Sequence, residues 1–107
     1  MNKKLVIFKS KNGKIPFVDW IEQLRDKKAR AIIRARLNRI QLGNFGDCKS
    51  IGDEVYEFRI HYSSGYRIYF GISGNDLVVL LCGGTKSTQK KDILKAKSYW
   101  EEYKNGN

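Results

Sequence analysis

Four residues within one short stretch have the types and spacing to handle a phosphodiester: Arg59, His61, Arg67 and Tyr69. Cleaving such a bond builds negative charge on phosphoryl oxygens, and arginine offers a permanent, planar, bidentate donor for it. A histidine that titrates near neutrality, or a tyrosine, can move the protons that the cleavage requires. Glu57 belongs to the same set and reads as an ion-pair partner that orients an arginine. The same pattern also fits a solvated sheet face on which Arg and Tyr pair across strands for packing.

These residues lie on what reads as a β-hairpin. Tyr56, Phe58, Ile60 and Tyr62 alternate with Glu57, Arg59 and His61, and Tyr66, Ile68, Phe70 and Ile72 alternate with Arg67 and Tyr69. A period of two sends one set to a core and the other to an open face. A two-residue loop, Ser63-Ser64, would set Ile60 opposite Arg67 and mix the faces. A three-residue loop, Ser63-Ser64-Gly65, pairs His61 with Arg67 and Arg59 with Tyr69, with Gly65 in the left-handed position. Facing side chains would then stand roughly 5 Å apart at Cβ.

Lys86 follows an apolar strand in Gly83-Gly84-Thr85-Lys86-Ser87-Thr88-Gln89. Strand ends present functional groups, and the helix start that follows favours anions. The spacing is not that of a triphosphate-binding loop. Gln89 can reach a base or backbone group, or simply cap and solvate the helix. A basic helix carries Lys27, Lys28, Arg30, Arg34, Arg36 and Arg39; Arg30 and Arg34 are its candidates for RNA phosphate contact, set against the plain reading of a solvated outer face. One histidine and no His/Cys/Asp/Glu cluster at ligand spacing give no basis for a metal or other cofactor.

The chain has 21 Lys and Arg against 11 Asp and Glu, a net charge of +10. That field attracts polyanions, and nucleic acid is the default partner. No run approaches the roughly 18 apolar residues of a membrane span, and the N-terminus lacks the pattern of a secretory signal. Cys48 and Cys82 read as reduced and structural, and the expected location is cytoplasmic.

The supporting elements follow from periodicity. Leu5 to Lys9 reads as a strand, Lys11-Asn12-Gly13-Lys14 as a turn, and Pro16 to Leu24 as a helix opened by proline and striped with Phe17, Trp20, Ile21 and Leu24. Lys27 to Leu42 is a second helix burying Ala29, Ile32, Ile33, Leu37 and Ile40. Residues 43–53 lack periodicity and read as loop. Leu77 to Cys82, between Asn75-Asp76 and Gly83-Gly84, reads as a strand buried on both faces. Ser87 or Thr88 caps a last helix to about Tyr103, with Ile93, Ala96, Trp100 and Tyr103 on one face. The expectation is one α+β domain over 1–107. Its order is β-α-α-β-β-β-α, a small twisted, mostly antiparallel sheet of about four strands with helices on one face and the polar hairpin residues on the other.

The stretches Val55-Tyr56-Glu57-Phe58-Arg59-Ile60, Gly65-Tyr66-Arg67-Ile68-Tyr69-Phe70 and Gly83-Gly84-Thr85-Lys86-Ser87-Thr88-Gln89, with Asp92-Ile93, Ala96 and Tyr99-Trp100, resemble the RelE/ParE superfamily of bacterial toxins. Within it they resemble the HigB-like, phage-type addiction-module killer proteins. Pro16-Phe17-Val18-Asp19-Trp20-Ile21 and the Ala/Arg-rich second helix extend the likeness along nearly the whole chain. The resemblance implies a RelE-like fold and a type II toxin held inactive by a cognate antitoxin, with which it could bind operator DNA as a hetero-oligomer. It also implies a ribosome-dependent mRNA endonuclease that needs no metal: a 2′-hydroxyl attacks its own 3′-phosphate, leaving a 2′,3′-cyclic phosphate and a 5′-hydroxyl. By position Arg67 and Arg59 take phosphate stabilisation and Lys86 stabilises or protonates groups at the scissile phosphate, with His61 as base and Tyr69 its alternative. A ParE-like gyrase inhibitor and an inactive, antitoxin-binding relative are the competing implications.

Overall fold

The computed structural model describes residues 3–74 and 77–106. Helix α1 (Pro16–Gln23) opens on proline, whose fixed φ suits a first helical position, and carries Asp19 in its first turn, where a negative charge meets the positive end of the helix. Asp26 then caps α2 (Lys27–Gln41), its carboxylate accepting from the backbone N–H groups of Lys28 and Ala29. The Ala29 bond above all holds the Asp26 carboxyl below its usual range. The Tyr62 hydroxyl donates to the same carboxylate at 3.1 Å, which ties α2 to the hairpin loop.

Five strands form one mixed sheet in the order β1-β5-β4-β3-β2. They are β1 (Lys4–Ile7), β2 (Cys48–Gly52), β3 (Val55–Ile60), β4 (Tyr66–Ser73) and β5 (Leu77–Thr85). Strand β1 runs parallel to β5; the other pairings are antiparallel. A 3₁₀ turn, Lys86–Thr88, leads into α3 (Gln89–Gly106). Among the described residues no helix is long and apolar enough to cross a membrane.

Four expectations need correction. The segment 43–53 is not all loop: Cys48–Gly52 is an edge strand, making five strands where about four were expected. Its side chains are mostly exposed, so no apolar alternation marks it. The last helix is entered through Thr85 rather than capped by Ser87 or Thr88, Thr85 and Thr88 forming reciprocal side-chain-to-backbone contacts. Asn75-Asp76, expected to border the last strand, lie outside the described residues.

The third correction concerns the layers. Helices cover both faces of the sheet, not one. Phe17, Ala29, Ile33 and Ile40 of α1 and α2 pack on Phe58, Ile60, Ile68, Phe70, Val78 and Leu80. On the other side Ala96 and Trp100 of α3 pack on Val55, Tyr69, Val79 and Leu81. A tryptophan from each layer lies flat on a strand glycine. A Cβ on Gly71 would come within 2.3 Å of the Trp100 ring, and one on Gly83 within 2.3 Å of the Trp20 ring. The fourth correction, the hairpin register, bears on the site.

Candidate phosphate-handling site on the hairpin

In the β3–β4 ladder Arg59 faces Arg67 and Glu57 faces Tyr69. The expected pairing was His61 with Arg67 and Arg59 with Tyr69, so the register is displaced by two residues. The parity is right and the polar set still shares one side. The loop is longer than three residues: Ile60 pairs with Tyr66, leaving 61–65 to turn the chain. Gly65 takes the expected left-handed conformation at φ +77°, and Ser63 also lies there at φ +53°.

The shared side is not open. It is the side α3 covers, so Glu57 and Tyr69 are fully buried. Cover thins toward the hairpin loop, where the side chain of Arg67 is 11% exposed and that of Arg59 31%. Glu57 is the hub. One carboxylate oxygen accepts from Arg59 Nε at 3.1 Å; the other accepts from the Tyr69 hydroxyl at 3.0 Å and Gln89 Nε2 at 2.8 Å. Arg67 Nε stands 3.5 Å from that second oxygen, an ion-pair contact without a hydrogen bond. Burial pushes the Glu57 carboxyl up, but the bonds from Gln89, Arg59 and Tyr69 outweigh it and hold the group below its ordinary value.

The expected orienting role of Glu57 is therefore what the geometry shows. Arg67 Nη1 donates to the Gly65 carbonyl at 3.3 Å, and the Lys86 backbone N–H donates to the same oxygen at 3.0 Å. The exposed Lys86 thus leaves the sheet beside Arg67. Two arginines and a lysine against one buried carboxylate leave this corner net positive.

Tyr69 does not fit the part of a proton carrier. Burial first, and then the charge of Glu57, push its phenol well above the ordinary value, and its proton is already given to Glu57. It positions the carboxylate instead. His61 lies just past β3 and is exposed rather than set opposite Arg67. Its Nε2 contacts Asp47 Oδ2 at 2.5 Å. Asp47 is in turn fixed to the strand of Arg59, because its carbonyl accepts from the Arg59 N–H at 2.9 Å. The His61 bond chiefly, and more weakly the charges of Arg59 and Arg36, keep the Asp47 carboxyl below its usual range against partial burial. With Asp47 ionised, Nε2 is the donor in this contact.

Sequence reasoning missed Asp47 altogether. No local signal marks it; the pairing of β2 with β3 alone brings it to His61. Gln89, read as reaching a base or backbone group or as capping the helix, points inward instead, its Nε2 donating to Glu57. Arg30 and Arg34 are not brought to this corner. They belong to α2 on the opposite side of the sheet, where they border an apolar groove with Ile7, Val18 and Leu37. Among the described residues no group of three or more His, Cys, Asp or Glu could hold a metal ion.

Residues 19–100, from α1 through most of α3, match the model of the family described as Phage derived protein Gp49-like. The chain belongs to that family, one of addiction-module killer toxins, and membership implies a cognate antitoxin. A protein of Haemophilus influenzae described only as uncharacterized is 48% identical over 88 residues, covering 82% of this chain and 89% of its own.

Proposed function

We propose that this toxin is a ribosome-dependent mRNA endonuclease, working in the cytoplasm and restrained by its antitoxin. The observation that carries the reading is the direct facing of Arg59 and Arg67 over one buried carboxylate. Like charges opposite one another in a ladder are destabilising, so packing alone gives no reason for the pair. A phosphate does: two guanidinium groups held by Glu57 can present their remaining N–H donors to the oxygens that gain charge in the transition state.

In this reading the 2′-hydroxyl attacks the adjacent phosphorus and the P–O5′ bond breaks. Nδ1 of His61, steadied by Asp47, takes the 2′ proton. The Lys86 ammonium gives a proton to the departing O5′, or stabilises its charge. The products are a 2′,3′-cyclic phosphate and a 5′-hydroxyl. Any RNA contact by Arg30 or Arg34 would be a separate one.

A toxin that binds its target without cutting RNA, as a gyrase inhibitor would, is the second reading. The deep burial of Arg67 and Tyr69 favours it. Primer extension on cellular mRNA after induction separates the two. Discrete cuts with the wild type that vanish with Arg67→Ala support the nuclease; DNA damage signalling without cuts replaces it with the binding toxin.

A further inference from the structure

Strand β5 loses its outer neighbour halfway along. Strand β1 pairs only with Leu77–Leu80, and the last bond on that side runs from the Phe8 N–H to the Leu80 carbonyl at 2.9 Å. From Cys82 to Thr85 the outer edge faces a cleft of about 420 Å³ between α1 and α3. That volume lies within the usual range for small-ligand sites. Two glycines let the flanking layers close on this strand end: Trp20 lies on Gly83, and the Asp92 carboxylate sits where a Cβ of Gly84 would stand.

Asp92 is buried, and one of its carboxylate oxygens accepts from the Thr88 hydroxyl. Cys82, at the inner end, is closed to reaction, because burial and then Asp92 push its thiol up to about 12. The groups still available at the rim are Asp19 and Gln23 on α1 and Lys91 and Lys95 on α3, all exposed. Neither lysine enters an ion pair among the described residues. The cleft opens at Thr85, one residue before Lys86, and Gly84 pairs with Arg67.

We infer that this cleft seats one nucleotide of the RNA strand, next to the phosphate held by Arg59 and Arg67. The inference rests on the RNA-cleaving reading for its place in the reaction, but the binding itself can be tested alone. The strand edge at Gly83, beyond the reach of β1, offers a base edge donors and acceptors together with Asp19 and Gln23, whereas the Thr85 N–H and carbonyl are already engaged by the Thr88 hydroxyl. Lys91 and Lys95, one helical turn apart, offer cations to the flanking phosphate. A base on the strand edge would make the cleft the specificity-determining part of the site.

The test uses the full chain and two probes, adenosine 5′-monophosphate and a short oligoribonucleotide of mixed sequence. Amide shifts during titration are expected at Gly83, Gly84, Thr85, Lys91 and Lys95. Lys91→Glu/Lys95→Glu should lose at least tenfold in oligoribonucleotide affinity while its thermal unfolding is unchanged. Binding that leaves the cleft amides unmoved, or is indifferent to the double charge reversal, overturns the inference even if the protein cuts mRNA. Cleft binding with no cutting in cells leaves it standing and removes the nuclease reading instead. In a cutting protein, Gln23→Ala should redistribute the cut positions; an unchanged cut pattern counts against base contact there.

Discussion

Arg59 and Arg67 stand directly across from each other on neighbouring antiparallel strands, and the buried carboxylate of Glu57 lies within ion-pair reach of both. Removing Arg67 leaves Glu57 three donors, from Arg59, Tyr69 and Gln89, so the fold should survive. Arg67→Ala is expected to lose about 10²–10³-fold in RNA cleavage and to abolish growth inhibition. Arg67→Lys, which keeps charge without the planar fork, should recover only a small part. Circular dichroism checks folding beside the toxicity assay. Full toxicity in a folded Arg67→Ala protein would remove the arginine pair from the mechanism.

Glu57 makes a prediction about stability and acid. Losing its charge strands two guanidinium groups, and Glu57→Gln should cost about 3 kcal/mol at neutral pH. Its carboxyl is held below the ordinary value in the folded chain. Its ionised form therefore favours folding above the ordinary carboxylate range, and that contribution disappears as pH falls through the lowered value. Urea unfolding between pH 7 and pH 3 should show a steeper acid loss in the wild type than in Glu57→Gln. Parallel acid slopes would show that Glu57 titrates alike in both states.

Asp47 should act through His61 alone. His61→Ala is expected to lower the cleavage rate about 10²-fold, and Asp47→Asn by about tenfold, with little change in KM for either. The double variant should be no worse than His61→Ala, since removing the histidine removes what Asp47 holds. Additive losses would mean that Asp47 has its own contact with RNA.

The glycine under Trp100 is a packing requirement. Gly71→Ala places a Cβ within 2.3 Å of the indole ring, which is itself buried by the sheet. The layer must shift, and a destabilisation of about 1–3 kcal/mol is expected in urea unfolding. An unchanged midpoint would show that α3 rides over the sheet more loosely than its packing suggests.

Alternation along β3 and β4 revealed which side chains share a face, because parity is what a period of two encodes. It did not reveal the loop length: Ser63 and Gly65 both adopt left-handed backbone, and five residues turn where three would suffice. The covering of the polar face was present in the sequence but unused. Val79 and Leu81 face away from Val78 and Leu80, so a strand apolar on both sides demands helices on both sides. Strand β2 was illegible because Lys49 and Ser50 are exposed and its pairing is made by backbone. With β2 went Asp47, whose meeting with His61 depends on that pairing.

The parallel union of β1 with β5 joins residues far apart in the chain, Lys4 with Leu77 through Ile7 with Leu80. Closing so long a loop is entropically the slowest kind of contact, whereas the β3–β4 ladder needs only a short turn. The arginine corner should therefore form early in folding and the amino-terminal strand dock late. Amide protons of β1 would then be the last to gain protection from exchange during refolding.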